Sequence, residues 1–361
     1  MPNAIVFLFV LSVLVVVHEF GHFIVAKLAG IRVERFSIGF GPVIFGKKIA
    51  GTEFVFSLLP LGGFVKMAGE NPNEAEGKEW EFNSKPLGWK FLVVFAGPLM
   101  NALLAVVLFT AVFFHGQPMI TATIGKVMDA TPAKAAGFLE GDRVRSVNGH
   151  TVVYWEDVLQ EVHKGQDTLL FLVERDKKLR EISVVPKREE TRGFLGRKHR
   201  ISFIGIAPSN DIVRIKHSFP RAVVLGVRRV LEMTGLIFYS FGLMFSGAMS
   251  FKDSVTGPIG IYFMTGQAAQ LGLAYLLYFM GSLSVSLFVL NLLPVPVLDG
   301  GHVLFILIEK LKGSPLKESV KERMTQGGMA VLLGLMAFVI FQDLHRFSIV
   351  ENVIHMAKRV F

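Results

Sequence analysis

Residues 3–29 read NAIVFLFVLSVLVVVHEFGHFIVAKLA, and the reading of this stretch decides the fold. A bilayer core takes roughly 20 mostly apolar helical residues, and this run supplies them with His18, Glu19 and His22 set among them. It lacks a positive leading region and a small-residue cleavage site, so it reads as a retained span and not as a signal peptide. Three further runs follow. Phe91 to Phe114 carries no formal charge, Leu271 to Ile308 carries only Asp299, and Gln326 to Gln342 is short but uncharged.

The whole chain agrees with that start. Of its 361 residues 52% are hydrophobic and 19% charged, and its mean hydropathy is +0.50. A soluble domain carries about a quarter charged residues. Cysteine is absent, which excludes disulfides, thiolate metal sites and cysteine nucleophiles and leaves the compartment open. The net charge of +9 is assigned to cytoplasmic Lys and Arg that orient the spans, and no nucleic-acid partner is expected.

Charge distribution then sets the topology. The stretch from Gly30 to Lys90 holds eight Lys or Arg, and Glu309 to Thr325 holds five. Four spans put both on one face, the cytoplasmic one. They put both termini and the segment 120–208 on the other. Within that segment Ile120 to Val127 and Leu169 to Val173 read as strands. Pro132 to Gly137 and Trp155 to His163 read as helices. Phe219 to Met249 has a helical pattern, but Arg228, Arg229 and Glu232 leave too few uncharged residues to cross comfortably. An interfacial helix is preferred there over a fifth span.

Chemistry is concentrated in His18-Glu19-Phe20-Gly21-His22, an H-E-x-x-H. Positions i and i+4 of a helix share a face, so both imidazoles reach one zinc ion, and Glu19 is placed to take a proton from a metal-bound water. Three titratable groups in one apolar span are costly and mark a functional site. The bland alternative is a buried polar cluster that pairs helices without metal. A catalytic zinc takes three protein ligands and one open position. Asp299 is the candidate third ligand, with His302 three residues on as a competitor. It stands in Asn291-Leu292-Leu293-Pro294-Val295-Pro296-Val297-Leu298-Asp299-Gly300-Gly301, whose prolines and glycines break a helix at membrane depth. That is tolerated where backbone is buried in protein or lines a wet cavity. A helix-capping role in the headgroup region is the alternative for Asp299.

H-E-x-x-H in a first span and N-x-x-P-x-P-x-L-D-G-G in a later one together resemble the site-2 proteases, zinc metalloproteases that cut within membranes. Ala96-Gly97-Pro98-Leu99-Met100-Asn101 resembles that family's second-span motif, and Leu61-Gly62-Gly63-Phe64-Val65-Lys66-Met67 its membrane-dipping β-loop. Gly257-Pro258-Ile259-Gly260 also fits. The likeness is nearest to the bacterial sigma-E-regulating (RseP) type. It implies His18, His22 and Asp299 as zinc ligands and Glu19 as general base. It also implies substrate contacts at Asn291, Gly62, Gly63, Phe64 and Asn101. Ser286 stands where the best-known member has a second asparagine. The segment 117–208 resembles a single PDZ domain, carried by Ala133 to Gly137, Glu140-Gly141-Asp142-Arg143-Val144 and Val147-Asn148-Gly149-His150-Thr151.

The expected fold is a polytopic α-helical membrane protein with four spans, a membrane-associated β-loop over 31–67 and an extracytoplasmic PDZ insert. The domains run 1–116, 117–208, 209–270 as a juxtamembrane helical segment, and 271–361. The expected activity is intramembrane zinc endopeptidase action on single-span proteins, pre-cleaved by another protease, in the bacterial cytoplasmic membrane. The PDZ domain is read either as a binder of substrate tails or as a steric filter. A metal transporter using the same ligands and a non-proteolytic PDZ adaptor are the competing readings. Neither an internal repeat nor a missing Glu19 supports them.

Overall fold

The computed structural model describes residues 2–71, 74–164, 167–192 and 198–347. Parts of the basic stretch ahead of Arg200 and of the 271–361 segment lie outside them. The chain forms two compact units, Met1–Val112 with Phe219–Tyr239 and Val255–Phe361, and Phe113–Ser218 with Ser240–Ser254.

The elements run α1 (Pro2–Leu28), β1 (Val33–Ile49), β2 (Thr52–Met67) and α2 (Leu87–His115). Then come β3 (Gln117–Ile120), β4 (Ile124–Val127), α3 (Pro132–Ala136), β5 (Arg143–Val147), β6 (His150–Thr151) and α4 (Trp155–Lys164). Next are β7 (Leu169–Arg175), β8 (Lys178–Val184), β9 (Lys187–Arg192), β10 (Lys198–Phe203), β11 (Ile206–Pro208) and β12 (Ile212–Ile215). The chain continues through α5 (Phe219–Phe245), α6 (Phe251–Ser254), α7 (Pro258–Leu271), α8 (Leu273–Asn291), α9 (Asp299–Lys312) and α10 (Glu318–Arg346).

Among the described residues four helices are long and apolar enough to cross a membrane: Asn3–Leu28, Leu87–His115, Leu273–Asn291 and Glu318–Arg346. The protein is a helical polytopic membrane protein. The third expected span is shorter than Leu271 to Ile308: the crossing helix is Leu273–Asn291, and the expected break parts it from α9 at 292–298. Pro294 and Pro296 cannot donate to a helical ladder, and the segment closes on itself through Val295 N–H to Leu293 O (2.7 Å) and Leu298 N–H to Val295 O (2.8 Å). The paired glycines let this loop lie on the first turn of α9. A Cβ on Gly300 would stand 2.3 Å from Leu293 O, and one on Gly301 2.3 Å from Val295 O. α5 is not among the four, because Arg228, Arg229 and Glu232 leave no stretch of sufficient length apolar enough.

In the helical unit, α1 packs on α2 through small residues. A Cβ on Gly21 would meet Ala96 O at 2.3 Å. Farther along, Val10 and Leu14 of α1, Leu108 of α2 and Met280 of α8 share an apolar cluster. β1 and β2 are bent strands that fold into an antiparallel sheet. Residues 33–38 pair on one side with 63–67 (Phe36 with Val65) and on the other with 53–56 (Phe36 with Phe54), and 43–49 closes the far edge. Phe23 of α1 meets Phe36 and Phe54 edge-on, at 5.5 and 5.6 Å between centroids, so the sheet is fixed to the helix at the residue next to His22. The Gly257-Pro258-Ile259-Gly260 motif opens α7. Its backbone N–H groups at Gly257 and Gly260 donate to the buried Asp343 carboxylate of α10 at 3.2 and 2.9 Å.

Over Phe113–Ser218 the second unit is a small β domain with two helices, α3 and α4, among its described residues, the arrangement expected of a PDZ domain. Its four-stranded sheet has the order β6-β5-β7-β8, and β11 pairs with β4, β12 with β3, and β10 with β9. β7 alternates, with Leu169, Phe171 and Val173 buried, so one face lines a core that includes Phe138, Trp155, Val158 and Val162. Asn148 (φ 49°) and Gly149 (φ 81°) make the left-handed pair that a two-residue turn from β5 to β6 requires. The Asp142 carboxylate, wholly buried, accepts from Arg175 Nε (2.6 Å), Arg175 Nη2 (2.7 Å) and Leu139 N–H (2.9 Å).

Candidate metal centre

His18 and His22 project from the same face of α1, as their four-residue spacing dictates. Their rings meet edge-on at 4.9 Å, with Nε2 facing Nε2 at 3.2 Å. The chain break before α9 delivers Asp299 to the same point, with Oδ2 3.1 Å from His18 Nε2 and Oδ1 3.5 Å from His22 Nε2. All three ligand atoms lie within 4.8 Å of one another. Three donors held about 2 Å from a tetrahedral zinc stand roughly 3.3 Å apart, so the spacing suits that ion. The ring orientation suits it as well. The Nδ1 of His22 points away from the centre and donates to Val93 O at 2.8 Å, which frees Nε2 as the ligand atom. The donor set is two imidazoles and one carboxylate, the set that leaves a catalytic zinc one open position. His302, one turn beyond Asp299, lines the same cavity but is not part of this three-residue cluster.

α2 closes the centre from behind. Val93, Gly97 and Asn101 recur every four residues and so share one face. Gly97 must be glycine: a Cβ there would stand 2.2 Å from His22 Nε2 and 2.9 Å from His18 Cε1. On the other side Glu19 lines the cavity beside both ligands, and the Val65 N–H of β2 lies against its carboxylate. The cavity measures about 660 Å³. His18, Glu19, His22 and Asp299 line it together with Phe64 and Val65 of the sheet edge. Its charged rim includes Lys321, which bridges Glu309 at 2.9 Å and Glu318 at 3.2 Å.

The residues expected to touch substrate are placed differently from one another. Phe64 lines the cavity and stacks on Phe40 at 6.1 Å. Gly63 pairs with Ile38, and a Cβ on it would stand 3.5 Å from Glu19 Cγ. Gly62 has φ 147° and lies under the Phe40 ring. Asn291 ends α8, half-buried, and is not among the residues lining the cavity. Asn101 is fully buried and faces His18, its Nδ2 3.3 Å from His18 Nδ1. Sequence reasoning missed the Val93 carbonyl and the Val65 N–H, which have no side-chain signature. It also missed the reason for Gly97, although the motif containing that glycine was visible.

Comparison with known proteins adds to this geometry. The profile of Peptidase family M50 matches residues 6–335. A provisionally named zinc metalloprotease of Brucella suis is 36% identical over 360 residues, covering 94% of this chain and 94% of that one. The regulator of sigma-W protease RasP of Bacillus subtilis is 30% identical over 427 residues, covering 95% of this chain and 98% of its own. The crystal structure of the PDZ domain of an SdrC-like protein from Listeria monocytogenes matches 25% of this chain and 87% of that chain at 18% identity. Its TM-score of 0.21 is too low to carry weight.

Proposed function

This chain belongs to peptidase family M50 and is a membrane zinc metalloprotease, and from that premise we propose that it hydrolyses peptide bonds inside the transmembrane segments of single-span membrane proteins. The observation that carries the reading is the convergence of His18, His22, Asp299 and Glu19 on one cavity, from a helix of membrane-crossing length and a break beside another. Transport and adaptor roles fall away with membership of a peptidase family.

His18 and His22 through Nε2 and Asp299 through its carboxylate would hold the zinc. When bound, the ion supplies Lewis acidity, polarising a carbonyl and lowering the pKa of water. Glu19 takes the proton of the attacking water on its carboxylate and returns it to the departing amine nitrogen. The Val65 N–H beside it holds the carboxylate in place. A substrate helix resists attack because its carbonyls are already bonded within the helix. Residues 63–67 form an edge of the sheet next to Glu19, and an unwound substrate segment adds to that edge as a further strand. Gly62 and Gly63 keep side chains out of its path, and Phe64 packs against its apolar residues.

The basic stretches 30–90 and 309–325 face the cytoplasm, in the bacterial cytoplasmic membrane, and the β domain is extracytoplasmic. There the domain receives the tail that an earlier cleavage leaves on the substrate. Anti-sigma factors and signal-peptide remnants are substrates of this chemical kind.

The test is the purified Glu19→Gln protein in lipid nanodiscs with a model transmembrane peptide. Zinc content should stay at the level of the parent and cleavage should fall by at least about 100-fold. Cleavage at the parental rate with zinc still bound would sink the proposal.

A further inference from the structure

We infer that Asn101 is a positioning residue for the metal: its amide oxygen takes the Nδ1 proton of His18 and so fixes that imidazole as an Nε2 ligand. The inference rests on the reading of His18, His22 and Asp299 as the zinc ligands. It moves Asn101 from the substrate contacts expected of it to the scaffold behind the centre.

A histidine that ligates through Nε2 carries its proton on Nδ1, and that N–H needs an acceptor to hold the ring and its tautomer. For His22 the acceptor is the Val93 carbonyl at 2.8 Å. For His18 the neighbour of Nδ1 is the Asn101 amide at 3.3 Å. Asn101 lies two turns beyond Val93 on the same face of α2, with Gly97 between them opening room for both rings. One helix face thus serves both ligands, through a main-chain carbonyl for His22 and a side-chain amide for His18.

The amide itself shows which atom belongs there. As it stands, Nδ2 faces Nδ1, and Asn101 Oδ1 is buried without a hydrogen-bond partner among the described residues. Two donors cannot face each other once His18 carries the proton that ligation demands. The two ends of an amide are alike in shape, and the hydrogen-bond network decides between them. Half a turn about the last bond brings Oδ1 to the Nδ1 proton and gives the orphaned oxygen its partner.

Asn101 is also anchored from the other side. Ser284 Oγ of α8 donates to the Asn101 backbone oxygen at 2.7 Å, and both residues are fully buried. α8 is the helix that runs into the break ahead of Asp299. The same residue therefore touches the first ligand with its side chain and braces, with its backbone, the helix that delivers the third.

The experiment compares full-length parent, Asn101→Leu, Asn101→Asp and His18→Ala in nanodiscs. Each is equilibrated with zinc against a graded chelator, and the unfolding of each metal-free form is recorded. Asn101→Leu should bind zinc about 10- to 100-fold more weakly while unfolding like the metal-free parent. Asn101→Asp, which keeps an acceptor at Nδ1, should bind at least as tightly as the parent. Parental affinity in Asn101→Leu, or equal losses in Leu and Asp, overturns the inference and leaves the ligand assignment standing. Undiminished zinc in His18→Ala overturns the ligand assignment, and this inference with it. If Asn101→Leu does not fold, ¹⁵N-histidine NMR of the zinc-loaded parent decides. His18 should show a metal-bound Nε2 and a hydrogen-bonded Nδ1 proton; a metal-bound Nδ1, or an Nδ1 proton open to exchange with water, refutes it.

Discussion

The helical unit and the β domain differ in how completely their buried polar groups are satisfied. In the β domain Asp142 is buried and saturated by three donors from Arg175 and Leu139. In the helical unit, side-chain atoms of Asn101, Thr110, Arg229, Thr234 and Gln342 are buried with no partner among the described residues. Its apolar side chains also point outward: Ile5, Phe9, Val107, Leu231, Val331 and Phe341 are all more than half exposed. The β domain is completed by its own contacts. The helical unit turns apolar side chains outward and brings three candidate metal ligands together at its centre. Burial in water rewards a closed core, whereas a bilayer rewards an apolar exterior and leaves polar groups inside for chemistry.

That contrast breaks if the two units respond alike to loss of the metal. Stripping zinc with a chelator, or substituting His22→Ala, should abolish cleavage and speed hydrogen exchange at 296–303, which contains Asp299. Exchange in β5, β7 and β8 should not change. Asp142→Ala probes the other side. It leaves the Leu139 N–H and the partly exposed Arg175 without the carboxylate they share, a loss of about 1–3 kcal/mol. The β domain should melt early by hydrogen exchange or calorimetry while the chain keeps its full zinc content. A fall in zinc content would show that the units are not independent. The smallest effect sharpens the picture of the helix contact. Gly97→Ala forces a methyl group against the His22 ring, an overpacking cost of about 1–3 kcal/mol. It should appear as weaker zinc binding in a chelator competition, with the β domain's unfolding unchanged.

How far the site could be read beforehand depended on distance along the chain. His18 and His22 lie one helical turn apart, so helix geometry alone put both on one face. Asp299 could be singled out because it is the one acid in its apolar run, and acids are rare at that depth. Its arrival at the imidazoles could not be derived that way, since it needs the fold-back of 292–298 onto Gly300 and Gly301. The break inside the expected span from Leu271 to Ile308 was visible as prolines and glycines, but its extent was not. The number of spans was legible from apolar length, and the strand β7 from its short apolar run Leu169 to Val173, but that run is apolar throughout and did not show which of its residues face the core. The double pairing of residues 33–38, which makes 63–67 an edge beside Glu19, was hidden because register depends on partners far along the chain.

The sequence by itself determined that this is a membrane protein with an ionisable H-E-x-x-H in a span and a β insert, because hydropathy and helical period are local properties. Only the tertiary structure decided which face of α2 meets the imidazoles, which backbone groups hold His22 and Glu19, and where Asn101 belongs. Those contacts join residues tens to hundreds of positions apart, and close packing settles them once the chain has folded.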